Sequence, residues 1–97
     1  MEQKETIKII PIREIGGSRE GTLEASYDDI VDKIGPPNVT DLDDANKVKA
    51  SWGFKDEKGR KGFIWCYKWY GNIYYCKSWS ISGTDLLNDL FPEDIYI

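Results

Sequence analysis

The chain has 97 residues, a formal charge of −4 and no histidine, and its aromatic residues are four Trp, six Tyr and three Phe. This length is enough for one domain, 1–97, because a second hydrophobic core would need roughly 50 residues of its own. The net negative charge argues against general affinity for nucleic acid. The absence of histidine excludes Ser-His triads and ordinary zinc sites.

The first elements are an extended segment and a short helix. Residues 6–15, "TIKIIPIREI", alternate apolar and polar around Pro11, which cannot donate a ladder hydrogen bond, so the pattern predicts an interrupted edge strand. After the turn "GGSREG", Ser26 and Asp29 have the spacing of a helix N-cap and its third helical residue. Gly35 and two prolines end the helix. Its predicted apolar face consists of Tyr27, Ile30, Val31 and Ile34.

Three segments of period two follow the acidic stretch 39–46, which is predicted to be a loop. "KVKASWGFK", "GFIWCYKWY" and "IYYCKSWSIS" predict an antiparallel meander, joined by a four-residue loop at 56–59 and by a type II′ turn at 71–72. Thr84 is the predicted N-cap of a last helix that ends at Pro92. The sequence thus predicts an α+β fold in which two short helices pack on a small antiparallel sheet, in the order β-α-β-β-β-α.

The predicted turn fixes a register and therefore two faces of the sheet. With Gly71 and Asn72 in the turn, Trp65 lies opposite Ser78. Trp52 and Trp65 then belong to an apolar face that the helices cover. The other face interleaves lysines and aromatics, which suits a planar anion, although such lysines also commonly line a solvated face. The candidate ligand-binding residues on this face are Lys49, Lys68, Tyr75, Lys77 and Trp79.

Weaker signals point to neither metal nor cofactor. Asp41, Asp43 and Asp44 lack the glycine and the bidentate glutamate of an EF-hand loop, so no metal site is expected. Cys66 and Cys76 fall on opposite predicted faces and are expected to be free thiols. The chain shows neither an export signal nor an apolar run long enough to cross a bilayer, so we expect a cytoplasmic protein that does not bind membranes.

Several motifs resemble those of short proteins encoded by bacteriophages and prophages. They are "IREIGGSREGTLEASYDDIVDKIGPPN", "KVKASWGF", "IWCYK" and "WSISG", and the resemblance extends from Ile12 to Gly83. The chain departs from the shared pattern in its charged loop at 55–61 and in its aromatic content between 65 and 75. Small phage proteins of this kind are often inhibitors of host antiviral systems, so the resemblance implies an anti-defence role by association.

Three functions remain open at this point. One is a binding protein that sequesters a nucleotide immune signal; the second is a protein inhibitor, for instance of a CRISPR-Cas nuclease, whose acidic residues imitate phosphates. The candidate partner-binding residues for the second are Asp41, Asp43, Asp44 and Glu57. The third is a structural or assembly accessory of the phage. We expect no enzyme, because no carboxylate has a position that would raise its pKa for catalysis, and the edge strand at 6–15 could join two protomers.

Overall fold

The computed structural model describes residues 8–12, 18–38, 48–67 and 73–97. The two described helices are α1 (Tyr27–Ile34) and α2 (Thr84–Leu90), and Ile73–Tyr75 forms one 3₁₀ turn. The described strands form one six-stranded antiparallel sheet in the order β1-β3-β4-β5-β2-β6, which confirms the predicted α+β fold. These strands are β1 (Ile9–Pro11), β2 (Gly21–Glu24), β3 (Val48–Asp56), β4 (Lys61–Tyr67), β5 (Ser78–Ser82) and β6 (Ile95–Tyr96).

Helix α1 has the ends that its sequence predicts. The Oγ atom of Ser26 accepts a hydrogen bond from the Asp29 amide at 3.1 Å. At the other end, Gly35 has a φ of 92° and donates its amide to the Val31 carbonyl at 2.8 Å. Both ends depend on neighbours within a few residues, which is why the local sequence is sufficient to place them.

Helix α2 begins differently from the prediction. Thr84 is its first helical residue, and the N-cap is Gly83, which has a left-handed φ of 76° and no side chain to offer. The missing acceptor comes from a residue before β2: the Glu20 carboxylate accepts hydrogen bonds from the amides of Gly83 at 3.0 Å and Thr84 at 3.4 Å. A distant side chain therefore satisfies two amides that a local cap was expected to serve.

The strands at the two edges differ in how well the sequence predicts them. β1 pairs with β3 at one edge, as the proline in its sequence predicts, and the Ile12 amide continues the pairing with the Gly53 carbonyl at 2.9 Å. β2 and β6 were not predicted. They extend the sheet beyond β5, with Leu23 of β2 paired to Trp79 on one side and to Ile95 on the other.

The loop between β3 and β4 is one residue shorter than predicted. The Asp56 amide donates to the Arg60 carbonyl at 3.0 Å, and Gly59 donates back to Asp56 at 3.2 Å. Three residues remain in the loop, the last of them Gly59 with a φ of 86°, and a left-handed glycine is typical of this hairpin class. Because one residue of register moves every side chain of a strand to the other face, Trp52 lies opposite Ile64 and not on the face of Trp65.

The pairing of β4 with β5 is also shifted. The predicted turn at 71–72 lies outside the described residues, but Ile73–Tyr75 is a 3₁₀ turn and β5 begins only at Ser78. Trp65 consequently pairs with Ser80 instead of Ser78. This shift is of two residues, so side chains on β4 and β5 keep their predicted common faces although their partners change.

The core lies between the helices and the sheet face that carries Trp52 and Trp79, which are 2% and 1% exposed. The prediction that Trp52 belongs to the core is confirmed. The same prediction for Trp65 is wrong, since its side chain is only half-buried and lies on the opposite face. Other fully or nearly fully buried members of the core are Leu23, Ile30, Phe54, Ile64, Cys66, Cys76, Ile81, Leu86, Leu87, Leu90 and Phe91.

Candidate ligand-binding face of the sheet

Both described helices cover the same face of the sheet. The ring of Tyr27 in α1 lies 5.8 Å from that of Trp52. A methyl group at Gly62 would meet the Phe54 ring at 2.7 Å and Leu86 of α2 at 3.5 Å. Side chains at the alternate positions of each strand point away from these helices, and we call the surface that they form the open face. Its described residues are Ile10, Thr22, Glu24, Ser51, Gly53, Lys55, Lys61, Phe63, Trp65, Ser78, Ser80, Ser82 and Tyr96.

Two aromatic side chains stand at the centre of the open face. Phe63 and Trp65 occupy alternate positions of β4, a strand with neighbours on both sides, and both are half-buried. Their neighbours across the sheet are small: one row of the open face reads Gly53, Phe63, Ser82, and the next reads Ser51, Trp65, Ser80. Of these small neighbours, Ser51, Gly53 and Ser82 are buried and Ser80 is half-buried, so the partly exposed rings themselves are the surface on which a planar group can stack.

The row through Trp65 continues to the far edge of the sheet. Ser80 lies opposite Thr22, and Thr22 lies opposite Tyr96, which is 58% exposed. Hydroxyl groups of Ser80 and Thr22 therefore lie between two aromatic residues. Each hydroxyl can donate one hydrogen bond and accept up to two, which matches the mixed donors and acceptors of a base edge or a ribose.

Positive charge borders the aromatic pair. Lys55 and Lys61 are directly opposite each other on β3 and β4, one row beyond Phe63. Arg19 donates a hydrogen bond to the Thr22 hydroxyl and so brings a third cation to this side of the sheet. Ammonium groups on neighbouring strands are suited to neutralise a phosphate group.

The end of the open face that carries the lysines borders a cleft of about 280 Å³. Its lining consists of Glu20, Arg60, Lys61, Gly83, Thr84 and Asp85. The Glu20 carboxylate is already hydrogen-bonded to the amides at the start of α2. The cleft therefore contains both acidic and basic residues. For an anion, the open face is the better candidate binding surface.

Arg60 holds the loop and α2 together. Its Nε atom donates to Asp56 at 2.6 Å, and its Nη1 atom donates to Asp89 at 2.8 Å. Burial alone would raise the pKa of Asp56, but hydrogen bonds from the side chain and amide of Arg60, together with the amide of Lys58, lower it below its usual value. The bonds to Asp56 and then to Asp89 raise the pKa of Arg60. This pairing identifies Arg60 as a structural cation.

The structure describes the side chains of three of the five candidate ligand residues, and Trp79 does not share an exposed surface with Tyr75 and Lys77. Trp79 is buried, and its Nε1 atom donates to the Ala25 carbonyl at 2.8 Å, so its ring cannot stack on a ligand. Tyr75 is 72% exposed on the 3₁₀ turn, and Lys77 is exposed just before β5. Lys49 lies on β3, and Lys68 lies outside the described residues.

The sequence expected Tyr75 and Trp79 to share one binding face, whereas the aromatic rings around Trp79 form part of the core. Its ring centroid lies 5.3 Å from that of Trp52 and 6.5 Å from that of Tyr27. Tyr74 extends this cluster to the surface with an edge contact to Tyr27 at 5.0 Å. Burial, followed by the neighbouring Tyr74 and Asp28, raises the pKa of Tyr27.

The two cysteines share the core, whereas the predicted register put them on opposite faces. Both are buried free thiols, and the Cys76 Sγ atom donates to the Ser78 carbonyl at 3.3 Å. Burial raises the pKa of the Cys76 thiol, a backbone hydrogen bond with Ser78 lowers it, the neighbouring Cys66 raises it, and the net direction is upward. The thiolate, which is the reactive form, is therefore disfavoured at Cys76.

The candidate partner-binding residues are only partly described. Asp41, Asp43 and Asp44 lie outside the described residues. Glu57 is exposed in the β3–β4 loop, with its carboxylate 4.0 Å from the Lys8 ammonium group. Within the described ranges, no group of three or more potential ligands could hold a metal ion, and no helix is long and apolar enough to cross a membrane.

No protein-family model, curated protein or solved structure matches this chain. Its functional assignment therefore depends on its own residues. Sequence reasoning missed Lys61, Phe63 and Trp65 as surface residues, and the signal that could have found them is Gly59. A glycine as the last of three loop residues indicates the G1-bulge hairpin, and that register places Trp65 on the face opposite Trp52.

Proposed function

We propose that this protein is a non-enzymatic binding protein for a nucleotide-type anion, and that the ligand lies on the open face. The single observation that supports this most strongly is the combination of two aromatic side chains on a central strand with a facing pair of lysines beside them. Aromatic rings bind bases of any sequence by stacking, while ammonium groups neutralise phosphate. This replaces the binding site that the sequence predicted around Trp79.

The biological setting is proposed from the resemblance of several sequence motifs to those of short phage and prophage proteins. A protein that sequesters a nucleotide signal needs affinity but no catalytic group, and its effect on the host is to lower the free concentration of that signal. We propose accordingly that the protein counters a bacterial antiviral response. Expression in a host that carries a nucleotide-signalling defence should then restore growth of a sensitive phage.

Binding is tested by thermal unfolding and by calorimetry with a panel of mononucleotides, dinucleotides and ADP-ribose. A ligand present at a hundred times its dissociation constant stabilises the fold by about 2.7 kcal/mol, which is a rise of several degrees for a domain of this size. A panel without any shift or heat contradicts the proposal.

Charge-reversal variants locate the site. Lys55→Glu and Lys61→Glu should each weaken binding at least tenfold and make it less sensitive to salt, because the lysines neutralise phosphate. Lys58→Glu is the matched control, since this exposed lysine lies in the β3–β4 loop. Lys77→Glu is a second control. If only this variant loses binding, the ligand site lies at the residues that the sequence predicted and not on the open face.

A second candidate function rests on the opposite side of the molecule. The exposed surfaces of α1 and α2 carry carboxylates, and a basic protein surface would be the complementary partner. In this function the protein inhibits a defence protein by imitating nucleic-acid phosphates. The exposed acidic residues in and after these helices are Asp28, Asp29, Asp32, Asp85, Asp89 and Glu93. Lysine substitutions at Asp28 and Asp32 should abolish inhibition in this case and leave it unchanged if the open face acts.

A further inference from the structure

The open face repeats one arrangement in two successive rows. Phe63 lies between Gly53 and Ser82, and Trp65 lies between Ser51 and Ser80. Each ring is therefore bordered on both sides by a residue no larger than serine and stands above its neighbours as a separate stacking surface. A single base needs only one such ring.

The spacing of the two rings suits two bases that are joined to each other. Alternate residues of one strand are about 6.8 Å apart, at roughly 3.4 Å per residue. This is about twice the 3.4 Å rise between bases stacked in a duplex strand. Two adjacent bases must therefore unstack and spread apart to cover both rings, as bases do on the sheets of single-strand binding domains.

The charges around the rings limit how long the ligand can be. Lys55 and Lys61 lie at one end of the aromatic pair, and Arg19 lies near the row of Trp65 through its bond to Thr22. Beyond these cations the charge changes sign: Glu24 is exposed on the open face, and Glu57 is exposed in the loop after β3. A long polyanion would pass over these carboxylates, whereas a ligand with one to three phosphates stays among the cations.

We infer that the open face binds a free dinucleotide, with one base on Phe63 and the other on Trp65 and with phosphates toward the cations. This inference rests on the proposed function and specifies the ligand class. It makes Phe63 and Trp65 two equivalent base sites, so each should contribute to a ligand with two bases and neither should be essential for a ligand with one.

The test compares four probes by calorimetry: AMP, linear pApA, cyclic di-AMP and a single strand of ten adenylates, with the guanine series run in parallel. At least one of the two dinucleotides should bind at least tenfold more tightly than the mononucleotide. The ten-nucleotide strand should bind no more tightly than that dinucleotide.

Leucine variants separate the two base sites. Phe63→Leu and Trp65→Leu should each weaken dinucleotide binding about tenfold, in keeping with the contribution of one stacked base, and should change mononucleotide binding less than threefold. Phe63→Tyr keeps a ring and should keep the affinity. Tyr75→Leu is the matched control, because Tyr75 is 72% exposed outside the open face. The melting temperature of each variant establishes that it is folded.

The outcomes distinguish this inference from the proposed function. Equal affinity for AMP and for both dinucleotides overturns the two-base inference and leaves the proposed function intact. Much tighter binding of the ten-nucleotide strand also overturns it and identifies the ligand as single-stranded nucleic acid. If no probe binds, the proposed function fails and this inference fails with it.

Discussion

Asn38 pairs with Gly53 as a neighbouring strand would. The Oδ1 atom of Asn38 accepts a hydrogen bond from the Gly53 amide at 3.1 Å, and its Nδ2 atom donates to the Gly53 carbonyl at 3.0 Å. The same Nδ2 atom donates to the Ile12 carbonyl at 3.0 Å, and the backbone amide of Asn38 donates to Ser51 at 3.1 Å. One side chain thus joins β1, β3 and the segment that follows α1.

This arrangement predicts a large effect of a small substitution. Asn38→Ala should lower the free energy of unfolding by about 1 to 3 kcal/mol, because it leaves partly buried backbone groups without partners. Asn88→Ala is the control, since Asn88 is exposed on α2 and surface substitutions usually change stability by less than about 0.5 kcal/mol. Urea unfolding measures both values, and equal midpoints would show that the Asn38 bonds contribute nothing.

The three tryptophans on described strands should differ sharply in their importance for stability. Trp52→Ala and Trp79→Ala should each cost about 3 to 5 kcal/mol, because both side chains are buried and donate to backbone carbonyls. Trp65→Ala should cost roughly 1 kcal/mol or less, since the ring is half-buried on the open face. Thermal unfolding provides the comparison. If Trp65→Ala loses as much stability as Trp52→Ala, the assignment of the covered and open faces is wrong.

Two left-handed glycines provide a matched pair for backbone strain. Gly59 and Gly83 have φ angles of 86° and 76°, but a methyl group at Gly59 would meet nothing within 4 Å, whereas at Gly83 it would overlap the Lys61 carbonyl oxygen. Gly59→Ala should cost about 1 to 2 kcal/mol, the usual penalty for a left-handed residue with a side chain.

Gly83→Ala should lower the stability of the fold more than Gly59→Ala, because the backbone of β4 must also move away from α2. The difference between their melting temperatures is the measurement. If the two variants melt together, the close approach at Gly83 does not exist in solution.

The pair formed by Asp56 and Arg60 predicts a dependence of stability on pH. The pKa of Asp56 in the folded protein lies below its ordinary value of 3.8, so protonation favours the unfolded state. The stabilisation is fully present above about pH 5 and is lost as the pH falls through the folded pKa. Asp56→Asn removes the charge at every pH.

The melting temperature of Asp56→Asn should therefore lie below that of the unmodified protein by a constant amount between about pH 5 and 7, and the gap should narrow below about pH 4. Glu93→Gln is the control, because this exposed carboxylate has no bond of the kind that Asp56 makes with Arg60. If the difference in melting temperature persists unchanged at low pH, Asp56 stabilises the fold through the shape of its side chain and not through its charge.

The sequence by itself determined the features that depend on near neighbours. It predicted α1 with Ser26 and Gly35 at its ends, the edge position of the strand that contains Pro11, and the burial of Trp52. A cap or a proline acts through atoms a few residues away, so its consequences are present in a short stretch of sequence.

Only the tertiary structure decided which aromatic residues are buried and which lie on the open face. Both alternating sets of β4 are largely apolar, with Ile64 and Cys66 in one and Phe63 and Trp65 in the other, so periodicity cannot choose between them. The choice is made by the three-residue loop that ends at Gly59, because one residue of register exchanges the faces. The cap that Glu20 provides for α2 and the pairings of β2 likewise join residues far apart in the chain, and no local pattern contains them.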